Sequence, residues 1–419
     1  MAITQQELGG RIRSAREASR MTQDEVAKHL GVSRPTVVQI EAGKRSVSSL
    51  ELDKLAYLYG RDIREFIAES FREEDTLAAL FRAQPDVTGQ PAVMEALREC
   101  IALGRELTNL ERLVGIDRDL TAVAAYPGQA PRTRWEAIQQ GERVADEERR
   151  RLGLGSAPLS DLAELLETQG VRTGIVKLPE DVSGLTLSDR NIGLFVVGNR
   201  AHHHLRRRFS FAHEYAHVVV DRDRAGLVSR TTDRDDLVEV RANAFAAGFL
   251  MPEEGVRQFI AGLGKGKPSR AYAEVFDGAG SVNVEGRSEP GTQAVQLYDV
   301  VQIAHHFGVS RLAALYRLRN LRLVSAAEFD QLKALDDTDK GKQLARLLGL
   351  AEPDDSMVRD EFRHRFLGLA LEAYRREEIS RGKLKELALM VQLTADDLDR
   401  LIVDAGLDGD ALASARKQA

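Results

Sequence analysis

Residues 209–221 read Phe-Ser-Phe-Ala-His-Glu-Tyr-Ala-His-Val-Val-Val-Asp. Apolar side chains crowd the stretch at Phe209, Phe211, Ala212, Ala216, Val218 and Val219, which predicts a buried helix. On such a helix His213 and His217 stand one turn apart on a single face, so both rings can aim a nitrogen at one point. A zinc ion suits that point, and Glu214 projects alongside, close enough to take a proton from a water held there. The alternative is a core helix whose histidines only pack. Two histidines and a glutamate are costly in so apolar a setting unless something satisfies them.

Catalytic zinc takes three protein ligands and leaves a fourth position open, so a third ligand is expected from a second helix. Residues 237–252, L-V-E-V-R-A-N-A-F-A-A-G-F-L-M-P, repeat apolar positions at helical spacing through Val238, Ala242, Phe245, Ala246, Phe249 and Leu250, and Pro252 ends the run. Glu239 lies on the edge of that stripe, where an acid is unexpected unless it faces something positive. It is the expected third ligand.

The segments R-R-R-F-S-F-A-H-E-Y-A-H (206–217) and E-V-R-A-N-A-F-A-A-G-F-L-M-P (239–252) resemble the ImmA/IrrE family of zinc metallopeptidases, and the likeness extends over roughly residues 135–325. It implies that His213, His217 and Glu239 bind zinc, or manganese, and that Glu214 is the catalytic acid and base. Arg241 departs from the family pattern, where many members carry Glu or Gln; a ligand at that position would weaken the metal set. The likeness also implies a small twisted sheet, read here over residues 171–178, 183–188 and 192–197, whose edge can take up a peptide by strand addition. Tyr215, Tyr272, Tyr298 and the nearby Arg or His residues are candidates for stabilising an oxyanion.

Residues 5–67 predict five short helices. Leu8, Ile12 and Ala15 form one stripe; Thr22 caps a second helix that Gly31 ends; Ser33 caps a third, with Pro35 in its first turn and Val37 and Ile40 as anchors. Gly43 stops that helix, and Leu50, Leu52, Leu55, Ala56 and Leu58 make a fourth. Residues 21–60 resemble the helix-turn-helix of the Xre/Cro/C1 repressors. That implies a third helix in the major groove of a double-stranded DNA operator, with Arg34, Thr36 and Gln39 at base edges and Gln23, Lys44 and Arg45 at phosphates. The alternative is a helical protein-interaction domain, since residues 1–67 hold 11 Lys and Arg against 9 Asp and Glu. The basic residues nonetheless gather around the third helix. So small a module gains affinity by pairing on two half-sites, so a homodimer is expected.

The 419 residues allow two to four domains. The expected division is a helix-turn-helix domain at 1–68, a helical connector at 69–131, a metallopeptidase-like α+β domain at 132–330 and a helical region at 331–419. The fold class is mainly α with a small β-sheet. A net charge of −6 excludes a generic polyanion binder, so contact with nucleic acid must be local. Cys100 is the single cysteine, which excludes an internal disulfide. Without a signal-like N-terminus or an apolar run long enough to span a bilayer, the chain is expected to be cytoplasmic, with no membrane partner.

Three further stretches complete the reading. His202-His203-His204 with Arg206, Arg207 and Arg208 reads as a solvated basic turn. Residues 262–268, 277–280 and 285–292 read as loops. Residues 300–321 resemble both a second helix-turn-helix and the closing helices of the ImmA/IrrE family; the latter is favoured, as helices that buttress the zinc domain with Leu312, Leu315 and Leu318 inward and His305 and His306 packing or at the surface.

Two functions fit. One is a DNA-bound regulator whose zinc endopeptidase cleaves a partner repressor or antitoxin. The other is a non-proteolytic regulator or antitoxin whose zinc domain is a sensor or dimerisation scaffold. The His-His-Glu set beside Glu214 leans to the first, because closed structural zinc sites take four ligands, commonly with Cys.

Overall fold

The computed structural model describes residues 3–71, 77, 79–80, 84, 90–116, 123–126, 128–189, 192–224, 226–265, 293–350 and 361–407, with the backbone alone at 271–276 and 281–286. The fold is mainly helical, with one four-stranded sheet and a separate two-stranded hairpin. No helix among the described residues is long and apolar enough to cross a membrane.

The N-terminal head is α1 (Gln5–Ala18), α2 (Gln23–Leu30), α3 (Arg34–Glu41), α4 (Ser49–Leu58) and α5 (Ile63–Ile67). Four of these start in capping boxes, at Thr4–Glu7, Thr22–Glu25, Ser48–Glu51 and Asp62–Glu65, in which side chain and backbone satisfy each other. Ser33 behaves otherwise: its hydroxyl meets Thr36 Oγ1 at 2.9 Å instead of capping the backbone. Ile12, Val26, Val37, Ile40, Leu55, Tyr59 and Phe66 close one small core, while Leu50 in the first turn of α4 is exposed.

Beyond the head come α6 (Pro91–Leu113), α7 (Arg134–Arg151), α8 (Leu162–Thr168), β1 (Val171–Val176), β2 (Val182–Asp189), β3 (Gly193–Asn199), α9 (His204–Val220), β4 (Gly226–Arg230), α10 (Leu237–Leu250) and α11 (Glu253–Gly262). The hairpin β5 (Ala271–Phe276) and β6 (Ser281–Gly286) follows. Then come α12 (Leu297–Phe307), α13 (Arg311–Asn320), α14 (Ala326–Asp336), α15 (Lys340–Leu347), α16 (Glu361–Arg375), α17 (Arg381–Met390) and α18 (Ala395–Asp404). The hairpin and β4 lie in stretches too short and too mixed in character to stand out by periodicity.

The sheet runs β1-β3-β2-β4, parallel only between β1 and β3. Strand β3 is buried throughout because helices cover both faces. Leu194 and Val196 point into a core shared with α7, α9, α10, α12 and α13, whereas Phe195 and Val197 point into one shared with α6 and α16–α18. Helix α13 buttresses the first core through Leu315 and Leu318 and α12 through Val300 and Ile303, but Leu312 faces out. Helices α7 and α10 cross with backbones nearly touching: a Cβ on Gly141 would sit 2.3 Å from the Arg241 carbonyl oxygen. That crossing fixes where α10 presents Glu239.

Candidate metal centre

Helix α9 starts at His204, earlier than its apolar run suggests. The 202–208 stretch is therefore only partly a solvated turn. His203 and Arg206 are exposed, but His202 and Arg207 are buried, and Arg207 Nη1 donates to the His202 carbonyl at 2.6 Å to tie down the turn before the helix.

Along α9, His213, Glu214 and His217 are all buried, and Glu239 of α10 comes in against the two rings. His213 Nε2 lies 3.0 Å from Glu239 Oε2, and His217 Nε2 lies 3.4 Å from Glu239 Oε1. The two Nε2 atoms are 3.3 Å apart. Among the described residues this is the one group of three His, Cys, Asp or Glu side chains able to share an ion, with ligand atoms mutually within 4.8 Å. Each ring is held from behind. His213 Nδ1 meets Asn243 Oδ1 at 3.0 Å, and His217 Nδ1 meets Asp221 Oδ2 at 3.0 Å. Such partners fix the Nδ1–H tautomer and leave the Nε2 lone pair to a metal.

The electrostatics agree. Burial disfavours the charged form of His217, but its hydrogen bonds to Asp221 and Glu239 hold it up at about 10. Burial likewise opposes the Glu239 carboxylate, yet the two imidazoles keep it far below the usual carboxylate range.

Glu214 is fully buried between the cluster and strand β2 of the sheet. Thr186 Oγ1 donates to Glu214 Oε2 at 2.7 Å, while Glu214 Oε1 has no hydrogen-bond partner among the described residues. Burial raises its pKa above the ordinary carboxylate value. Strand β2 makes the room: a Cβ on Gly184 would lie 2.7 Å from Glu214 Oε1. On β4, next to Gly184 in register, Ser229 puts its Oγ 3.3 Å from His213 Nε2.

Arg241 takes no part in the ligand set; its guanidinium pairs with Asp221 Oδ1 at 2.5 Å. The departure from the family pattern therefore leaves the His-His-Glu grouping intact. Two of the tyrosines considered as oxyanion donors have other partners. Tyr215 donates to Glu148 in the core, Tyr298 Oη stands 3.1 Å from Lys265 Nζ, and the Tyr272 side chain lies outside the described residues. His306 packs on Phe259, with centroids 4.5 Å apart. Asp221 and Asn243 went unread although each follows a ligand by four residues on its own helix, the spacing of a same-face pair. Thr186 and Ser229 come from strands distant in sequence and left no signal.

In the head, Arg34, Gln39 and Lys44 are exposed, and Thr36 is half-buried near them on α3. Arg34 makes only a 3.8 Å contact with exposed Asp24. Arg45 is bound to Glu51 at 2.9 Å. Gln23 is engaged inside the head, donating to Glu41 at 2.9 Å beside the Arg16–Glu41 pair.

The head and the cluster together make this a DNA-binding regulator that carries a metallopeptidase-like domain. Residues 7–66 match the helix-turn-helix domain family, and residues 167–275 match the peptidase family described as the IrrE N-terminal-like domain. The chain is a helix-turn-helix protein fused to an ImmA/IrrE domain. No curated protein matches it. The family suggests a metal, and the buried His-His-Glu cluster fits one.

Proposed function

We propose that the chain is a homodimeric, operator-binding transcriptional regulator whose zinc-dependent endopeptidase domain cleaves a partner protein of the repressor or antitoxin class. The convergence of His213, His217 and Glu239 beside Glu214, whose Oε1 lacks a partner among the described residues, carries the reading. Two imidazoles and one carboxylate suit zinc, with manganese as the second choice, and leave a position open as catalytic sites do.

When bound, zinc supplies Lewis acidity toward a peptide carbonyl and lowers the pKa of water. Asp221 and Asn243 orient the two rings. Glu214, its carboxylate made more basic by burial, takes the proton of the attacking water at Oε1 and delivers it to the departing amine nitrogen as the C–N bond breaks. Thr186 holds the other carboxylate oxygen, so the proton has one place to go. In the head, Arg34, Thr36 and Gln39 read bases, while Lys44 and Arg45, with Gln23 at the helix start, meet phosphates.

A second reading, a regulator with a non-proteolytic sensor domain, is favoured by the complete burial of Glu214. Metal analysis of purified protein separates the two when combined with cleavage of a partner protein. Glu239→Ala should lose zinc, and Glu214→Gln should keep zinc and lose cleavage. Cleavage undiminished in Glu214→Gln would refute its role.

A further inference from the structure

Gln84 lies in the chain between the helix-turn-helix head and α6, and its side-chain amide is bound to the backbone of β4. Its Oε1 accepts from the Val228 N–H at 2.8 Å, and its Nε2 donates to the Val228 carbonyl at 2.9 Å. Val228 stands opposite Leu185 of β2, and β4 is the last strand of the sheet. In an antiparallel ladder the N–H and C=O of alternate residues face away from the neighbouring strand. At Val228 those outward groups meet a primary amide, which offers the same acceptor and donor that the backbone of an added strand would offer.

A second contact lies two residues away, over a face of the same strand. Leu80 is buried, and a Cβ on Gly226 would lie 2.8 Å from Leu80 Cδ1. On the other side of Val228, Ser229 places its Oγ 3.3 Å from His213 Nε2. The edge that Gln84 covers therefore borders the His-His-Glu cluster directly.

We propose that Gln84 is an internal stand-in for the main chain of an extended peptide. It holds the β4 edge closed beside the metal centre, and an unfolded segment of a protein partner gains the site by displacing it. The inference rests on the peptidase reading only in taking this edge as the substrate cleft. Recognition at Val228 is through the main chain, so this contact tolerates many side chains and answers chiefly to whether the partner segment is extended.

The test uses full-length, zinc-loaded protein in the Glu214→Gln background, with fluorescein-labelled β-casein as an unstructured probe. Loss of two neutral hydrogen bonds in Gln84→Ala should speed exchange of the Val228 amide hydrogen about tenfold and tighten casein binding about tenfold by anisotropy. Gln84→Glu loses the donor and sets a negative charge against the Val228 carbonyl, which should drive the side chain off the edge and give the same two changes with the smaller cut in side-chain size. Faster exchange without tighter binding in either variant overturns the proposal and leaves Gln84 as a cap that guards a sheet edge. Unchanged exchange also overturns it. Tighter binding with no casein cleavage once Glu214 is restored upholds the closed edge and removes the peptidase reading instead.

Discussion

Asp221 accepts from His217 Nδ1 at 3.0 Å with one carboxylate oxygen and receives Arg241 at 2.5 Å with the other. The three residues form a line from the back of α9 to α10, so the ring that faces the cluster is oriented by a charge pair spanning the same two helices that supply the ligands. Helix packing and ring orientation are thereby coupled.

Asp221→Asn keeps the size of the side chain but removes the charge that holds His217 and Arg241. Zinc affinity, measured by competition with a chromophoric chelator, should fall about 10–100-fold, the usual effect of losing such a partner. Affinity equal to the parent protein would show that Arg241 and Asp221 serve packing alone.

Gly141→Ala should destabilise the protein by about 1–3 kcal/mol, because the added methyl meets the Arg241 carbonyl oxygen and the Phe245 nitrogen at 2.3 and 2.8 Å and helix backbone yields poorly. The urea midpoint reads this directly. The displaced α10 should also weaken zinc retention, although the substitution touches no ligand.

The acid limb of stability should depend on Glu148. Burial opposes its charge, but Arg151, Tyr215 and Tyr126 all bond the carboxylate and hold its pKa below the ordinary value. A carboxylate depressed in the folded state contributes its full stabilisation above its unfolded pKa of about 4.3 and loses it as pH falls through the folded value. Glu148→Gln should therefore cost about 3 kcal/mol at pH 7 and less at pH 3. Parallel denaturation curves for the two proteins across that range would contradict the assignment.

On operator DNA, Arg34→Ala and Gln39→Ala should each cost about 1–3 kcal/mol and relax preference at one base position. Lys44→Ala should weaken binding to all sequences alike and reduce the salt slope of log K by about 1. Gel-shift titrations at three salt concentrations against operator and scrambled duplexes distinguish the two patterns. Equal, sequence-independent losses for all three would place α3 outside the major groove.

Local pattern was enough for much of this protein. The capping residues and glycine stops of the head define five helices within a few positions, since each signal acts within one turn. The spacing of His213, Glu214 and His217 likewise follows from one helix, and Glu239 stood out as an acid on an apolar stripe. Packing decided the rest. That position 239 meets the two rings while Arg241 turns to Asp221 depends on the α7–α10 crossing at Gly141, which no periodicity records. Tyr215, two residues from a ligand in sequence, turns to Glu148 instead, because adjacent helix positions point in different directions and α7 supplies the carboxylate. Gln84 meets Val228 across 144 residues of chain, a pairing set by how the sheet edge folds back beneath the connector rather than by either segment alone.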